Sequence, residues 1–226
     1  MRRLGLSALI LAAVLSGSAC TTAGRLACAS TSVVVSGAAG GVGGTVCAGA
    51  EDAFSFLEPL GLQLPHQVQI DLAPAMPAGL GEDVAACTST ASRRITLLQY
   101  PAFMRHEVWM GVPPQRALYR SIVTHEVVHA IVRCHVGDRK LAVAASEYIA
   151  YVAMFATMDP ALRDRVLAAH PGTGFDHVSQ ATLLAYAFDP TGFGAEAWRH
   201  WVRAPDRVAL LHRVVAGQAI TEYERD

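Results

Sequence analysis

His125-Glu126-Val127-Val128-His129 sits inside an unbroken run from Arg116 to Val132, and how that run folds decides what the five residues can do. Leu118, Ile122, Val123, Val127, Val128 and Ile131 recur at helical spacing, Pro113 and Pro114 stand where a helix begins, and Gly137 stands where one ends. The spacing therefore predicts a helix. On a helix, residues four apart project from one face, one turn above each other, so both imidazoles can close on a single metal ion. Glu126 stands beside them, where a carboxylate can take a proton from water and pass it on.

A metal that activates water usually has three protein ligands and one open position. The expected third ligand is Glu147, in Ser146-Glu147-Tyr148-Ile149-Ala150-Tyr151, on a second apolar helix over Leu141 to Met158. Seventeen residues lie between His129 and Glu147, enough to finish one helix, turn around His135 to Lys140 and return antiparallel. The expected ion is Zn2+, although two imidazoles and a carboxylate also suit other divalent ions.

H-E-x-x-H followed by a glutamate on the next helix resembles the gluzincin branch of the zincin metallopeptidases, which includes the thermolysin-like peptidases and a large group of aminopeptidases. The resemblance covers roughly residues 93 to 158. It implies that His125, His129 and Glu147 bind zinc, that Glu126 is the catalytic base, and that the substrate is a peptide or protein. Tyr151 stands where thermolysin-like sequences carry an aspartate that orients a ligating histidine. The chain also resembles a group of small exported bacterial proteins, peptidase-like but of unknown function. Arg116 to Ser121, His125 to Ala130 and Glu147 to Tyr151 carry that likeness, which implies fold and ligands but no substrate.

A second reading stays open: a catalytically inactive gluzincin-like fold serving as an envelope binding or structural protein. It stands on Tyr151, on the small size of the substrate-binding half, and on the lack of an identifiable oxyanion donor. Candidates for that donor are Tyr148, Tyr151, His177, Tyr186 and His200, none of which the pattern selects. His106, His135, His170 and His212 have no ligand spacing and are read as surface residues.

Arg2 and Arg3, the apolar run Leu4 to Leu15 and the small residues Ser16 to Ala19 read as a secretory signal, so residues 1–23 are assigned to it and 24–226 to one domain. The expected location is periplasmic or extracellular. Cleavage after Ala19 would expose Cys20 and invite a lipid anchor, whereas Gly17 departs from the usual lipobox residue and favours soluble export. Without Cys20, the cysteines are Cys28, Cys47, Cys87 and Cys134. They allow two disulfides in three pairings, and Cys47 with Cys87 is the favoured pair.

The 226 residues are 52% hydrophobic and 16% charged with net charge −1, which fits a packed core and excludes the basic character of a nucleic-acid binder. No membrane span is expected, because Ser146, Glu147 and two tyrosines interrupt the longest apolar stretch. The chain is read as a monomer. Strands are expected at Ser32 to Ser36, His66 to Leu72 and Arg93 to Leu98, with a helix at Ala48 to Leu60. Gly37 to Gly44 is a flexible turn, since it lacks the lysine of a phosphate loop and an acidic ribose partner. The strand Arg93 to Leu98 is either an ordinary half-buried strand or an edge that pairs with extended substrate. Helices are expected at Ala161 to Ala169, Ser179 to Phe188, Ala195 to Val202 and Asp206 to Ala216, forming a cap over the two metal helices. The fold class is α+β, zincin-like, with a small N-terminal sheet and a helical C-terminal part.

Overall fold

Alternation of apolar and polar residues builds a five-stranded sheet in the computed structural model, which describes residues 24–38, 41–62, 65, 67–77, 85–89 (backbone alone for 88 and 89) and 94–221. The expected signal segment and Cys20 lie outside the described residues. The strands are β1 (Arg25–Ala27), β2 (Val33–Ser36), β3 (Val68–Ala73), β4 (Ala86–Ser89) and β5 (Arg94–Leu98), in spatial order β1-β2-β3-β5-β4. The three central strands β2, β3 and β5 are parallel, and each edge strand is antiparallel to its neighbour. Val33, Val35, Val68, Ile70, Ile95 and Leu97 are buried on one face, while Gln69, Asp71 and Thr96 are half-buried on the other.

The helices are α1 (Gly43–Leu57), a short α2 (Tyr100–Phe103), α3 (Arg116–Val136), α4 (Val143–Thr157), α5 (Pro160–Ala169), α6 (Leu183–Phe188), α7 (Pro190–Arg203) and α8 (Arg207–Val215); α1 and α3 lie against the sheet, α4 packs on both, and α7 and α8 pack on α4. The class is α+β. Gly49 allows α1 to press directly on α3: a Cβ there would sit 2.5 Å from the Arg120 carbonyl oxygen. The Thr124 hydroxyl then donates to the Gly49 carbonyl at 3.0 Å, and Arg120 grips Asp52 through two contacts of 2.6 Å. Gly137, at φ 63°, ends α3 as expected. Among the described residues no helix is long and apolar enough to cross a membrane.

Of the two readings of Arg93 to Leu98, the ordinary strand holds: Arg94–Leu98 lies between β3 and β4, and the edge nearest α3 is β4, whose four residues carry too little alternation to announce a strand. Three expectations are corrected. The disulfide joins Cys28 to Cys47, with Cα atoms 5.2 Å apart, and leaves Cys87 and Cys134 as thiols. Cys28 follows β1 and Cys87 lies on β4, the opposite edge; four strand spacings, on the order of 19 Å, separate those edges. Helix α1 starts at Gly43 instead of Ala48, because Gly43 lies against Leu26 and its first turn needs a residue without a side chain. In the C-terminal part, Ser179 to Phe188 divides at Thr182, which caps α6. The helix expected from Ala195 begins earlier, at Pro190, where Asp189 accepts from the Gly192 amide to cap the first turn of α7.

Candidate metal centre

Burial fixes the two helices that carry the site. In α3, Leu118, Ile122, Val127, Val128 and Ile131 face the core. In α4, Tyr148, Ile149, Val152 and Phe155 are likewise buried. Helix α4 returns antiparallel along α3, as the contacts show: Ser146 meets His129, while Glu147 and Tyr151 meet His125. With the apolar faces locked together, the remaining face of α3 presents His125, Glu126 and His129, and α4 presents Glu147.

The three expected ligands converge. The Nε2 atoms of His125 and His129 lie 3.0 Å apart, and the Glu147 carboxylate oxygens lie 3.3 Å from His125 Nε2 and 3.4 Å from His129 Nε2. Tetrahedral ligands held about 2.0–2.1 Å from an ion are about 3.3 Å from one another, so the spacing fits a divalent cation. The donor set fits too. Glu147 Oε2 is buried and, though near His125, has no aligned hydrogen-bond partner, so a lone pair points into the space the imidazoles face.

Charges within the group support each other. Burial raises the Glu147 pKa, but His125 and His129 outweigh it and hold the carboxyl well below the usual carboxylate range. Burial lowers the His129 pKa, but Glu147, aided by Glu126, outweighs it and raises the pKa overall. His129 Nδ1 meets the Ser146 hydroxyl at 2.9 Å, which leaves Nε2 facing the group. His125 is held differently. Its buried Nδ1 has no hydrogen-bond partner among the described residues, and the Tyr151 ring packs edge-on against the imidazole with centroids 4.6 Å apart. Gly194 makes room for that ring, since a Cβ there would lie 2.3 Å from it.

Glu126 is buried and borders two cavities, of about 370 Å³ and about 420 Å³, that share Ala86, His125, Glu126 and Tyr186. Of the five oxyanion candidates, Tyr186 and Tyr151 reach this region. Burial, the Glu147 charge, a hydrogen bond to the Glu147 carboxylate and the Glu126 charge raise the Tyr186 pKa well above its ordinary value, so its hydroxyl stays protonated and is a donor beside the ligand group. Tyr148 and His200 instead pair with each other at 2.6 Å, and His177 caps a short 3-10 turn by accepting from the Ser179 amide. None of these three borders either cavity. Of the histidines read as surface residues, His212 is exposed, while His106 packs against Phe103 and Trp109 and the His170 ring buries its Nε2. Sequence reasoning missed Ser146, Ala86 and the Trp109–Val112 hairpin. Only the Met110-Gly111 pair, a glycine following an apolar residue between valines, hinted at the last.

Neither a curated protein nor a solved structure matches the chain. Residues 33–224 match a family described as a family of unknown function, DUF6639, and because that match spans most of the sequence the chain belongs to this family.

Proposed function

We propose that the protein is an exported, zinc-dependent peptidase that hydrolyses peptide bonds of a peptide or protein with Glu126 as general base. The observation that carries this reading is a ligand group with an open side. His125, His129 and Glu147 converge, no fourth His, Cys, Asp or Glu joins them among the described residues, and the two cavities meet beside them at Glu126. A structural zinc is normally closed by four protein ligands. The resemblance to gluzincins supports the same roles, and the Cys28–Cys47 disulfide suits an oxidising compartment.

A zinc ion bound by these residues supplies Lewis acidity, making water a stronger acid and a peptide carbonyl a better electrophile. Glu126 accepts a proton from the attacking water as the water oxygen bonds to the carbonyl carbon. The same carboxyl returns the proton to the amide nitrogen as the C–N bond breaks, leaving a carboxylic acid and an amine. The Tyr186 hydroxyl donates to the carbonyl oxygen as negative charge gathers there. Ser146 keeps His129 in the tautomer that turns Nε2 toward the ligand group. The open edge of β4 offers its main chain to an extended substrate.

One observation favours the second reading, a non-catalytic envelope protein of the same fold: His125 Nδ1 lacks the orienting hydrogen bond that ligating histidines usually make. Metal content separates the two. The expected result is one zinc per chain, lost in Glu147→Ala and kept in Glu126→Gln, with hydrolysis slowed in the latter by about 10²–10⁴-fold. No zinc in the wild type after incubation with the ion would sink the peptidase reading. Undiminished hydrolysis by Glu126→Gln would sink the mechanism. Bound zinc with no peptide hydrolysed would select the non-catalytic reading.

A further inference from the structure

The chain between β5 and α3 makes a tight reversal that the catalytic reading does not use. Trp109 donates to the Val112 carbonyl at 2.8 Å and Val112 donates back at 3.1 Å, which closes a two-residue hairpin loop. Both loop residues, Met110 at φ 53° and Gly111 at φ 73°, are left-handed. Glycine takes that conformation freely, whereas methionine resists it; Met110 is the only described residue other than glycine with positive φ. Residues held this way persist only where the surroundings over-determine them, and such sites cluster at ligand-binding regions. Here the surroundings are visible. Gly111 is pressed against Ala169 and His170, and Trp109 is packed edge-on against Phe103 and His106. The result is that Trp109 and Met110 turn into the larger cavity.

That cavity lies on one side of the ligand group, where Trp109, Met110, Ile122 and Met154 line it. The smaller cavity lies on the other side, lined by Val132, Val136, Leu141 and Val143. In each the apolar surface outweighs the polar, the polar part being largely the ligand group and its neighbours, and both meet at Ala86, His125, Glu126 and Tyr186. Among the described residues that line the larger cavity, the ionisable groups are Glu126, His125 and two tyrosines, with no lysine or arginine to clamp a chain's terminal carboxylate. The one arginine of the smaller cavity, Arg133, is exposed to solvent and not buried as a clamp on a chain terminus would be. A cleft with a mainly apolar wall on each side of the reacting centre and no buried arginine or lysine among the described lining residues fits the middle of a polypeptide.

Building on the peptidase reading, we infer that the cleft takes an internal stretch of chain with an apolar side chain on each side of the ligand group, and that the Trp109-Met110 hairpin selects one of those side chains. The register on β4 fixes which one. Ala85 borders the larger cavity and Cys87 the smaller, so β4 runs from the first toward the second. A substrate strand added antiparallel to β4 runs the opposite way and places the residue C-terminal to the scissile bond against Trp109 and Met110.

The test is binding first, then cleavage. Zinc-loaded Glu126→Gln protein is titrated with peptides acetylated and amidated at their ends that carry leucine or phenylalanine at two adjacent positions, followed by intrinsic tryptophan fluorescence. Binding is expected to weaken at least tenfold when the pair is replaced by aspartates. Trp109→Ala and Met110→Gly are each expected to weaken binding of the apolar peptide by a similar factor. Met110→Gly also relieves the left-handed strain, so it should fold at least as well as the wild type and guards against loss by misfolding. Equal affinity for apolar and acidic peptides, or unchanged affinity in both hairpin variants, would overturn the inference.

The wild-type protein is then given the same blocked peptides and their free-ended counterparts, and the products are mapped by mass spectrometry. Internal cleavage between apolar residues is expected, with the hairpin variants altering preference on the C-terminal side. Cleavage confined to free-ended peptides would overturn the inference. Apolar binding with no cleavage of any peptide by the wild type would overturn the peptidase reading while leaving the binding selectivity of the cleft in place.

Discussion

Helices α3 and α4 bury most of their side chains, whereas α6, which brings Tyr186 to the same cleft, buries none. Phe155 of α4 is fully buried, but Leu184 and Phe188 of α6 are 67% and 82% exposed. The floor of the site is thus part of the core, and its roof is an appendage. The contrast teaches where function can be altered without altering the fold. The candidate ligands and Glu126 rise from elements that many contacts hold in place, while Tyr186 sits on an element that a few capping bonds and ring contacts hold.

The strongest way to break this contrast is to cut an equal amount of aromatic side chain from each part. Phe155→Ala removes a ring enclosed by the core and stacked at 6.2 Å on Trp198, and is expected to lower stability by about 3–5 kcal/mol. Phe188→Ala removes a ring that faces solvent, and is expected to stay within about 0.5 kcal/mol of the wild type. Denaturant unfolding reads both. Comparable losses from the two would show that α6 packs as firmly as α4.

Next in size comes a change in the roof that should act on rate alone. Tyr186→Phe deletes one hydroxyl from a helix with no buried residue, so melting temperature should hardly move, and zinc content should hold because the ion replaces the hydrogen bond that Glu147 accepts from Tyr186. Loss of a donor to the developing oxyanion is expected to lower kcat by about 100-fold, with KM little changed. A matching loss of bound zinc would show that Tyr186 serves the ligand group and not the reacting carbonyl.

A smaller effect sharpens the comparison within the floor, between its two histidines. Ser146→Ala removes the hydroxyl that meets His129 Nδ1 and should weaken zinc affinity by about 10–100-fold, measured by competition with a chelator. Tyr151→Phe keeps the ring that packs on His125 and should leave zinc affinity nearly unaltered, because His125 Nδ1 has no hydrogen bond to lose. The reverse ranking would mean that His125, not His129, depends on its surroundings for orientation.

How much of this could be read in advance divides along the same line. Helices α3 and α4 were legible because the information is local: an apolar rhythm lies within each segment, and α3 has prolines before its start and a glycine at its stop. Glu147 was legible because the length of turn and helix after His129 fixes where a second carboxylate can return. The sheet edges were not. Neither Arg25–Ala27 nor Ala86–Ser89 is long enough for alternation to rise above noise, and with both edges missing, the distance between Cys28 and Cys87 was beyond reach. Without the edge strand Ala86–Ser89 in view, the choice between an ordinary strand and an edge at Arg93 to Leu98 stayed open. Met110 escaped for a different reason: its left-handed backbone contradicts its own preference and is imposed by Trp109, Val112 and the end of α5. Local reading fails where one segment overrules another, and here that is the wall of the cleft.

The smallest effect is also the one that ties the floor to its ion. Without metal, Glu147 has a depressed pKa and His129 a raised one, each on account of the other. The signs differ. The Glu147 contribution to stability is present above its unfolded pKa, about 4.3, and is lost as pH falls through the lower folded value. The His129 contribution is fully present below its unfolded pKa, about 6.5, and is lost as pH rises through the higher folded value. From about pH 6.5 upward, therefore, this pair makes the metal-free protein less stable. Zinc binding has the opposite dependence: the ion must displace the proton on His129, so affinity climbs with pH by up to about tenfold per unit until that group has titrated, then levels. The stabilisation added by zinc should accordingly widen across the window in which the chelated protein weakens. Melting curves with zinc and with chelator from pH 6 to pH 8 read both slopes at once. A zinc increment that stays constant across this range would mean that no proton is displaced, and that the imidazoles and Glu147 are held together by something other than the charge they share.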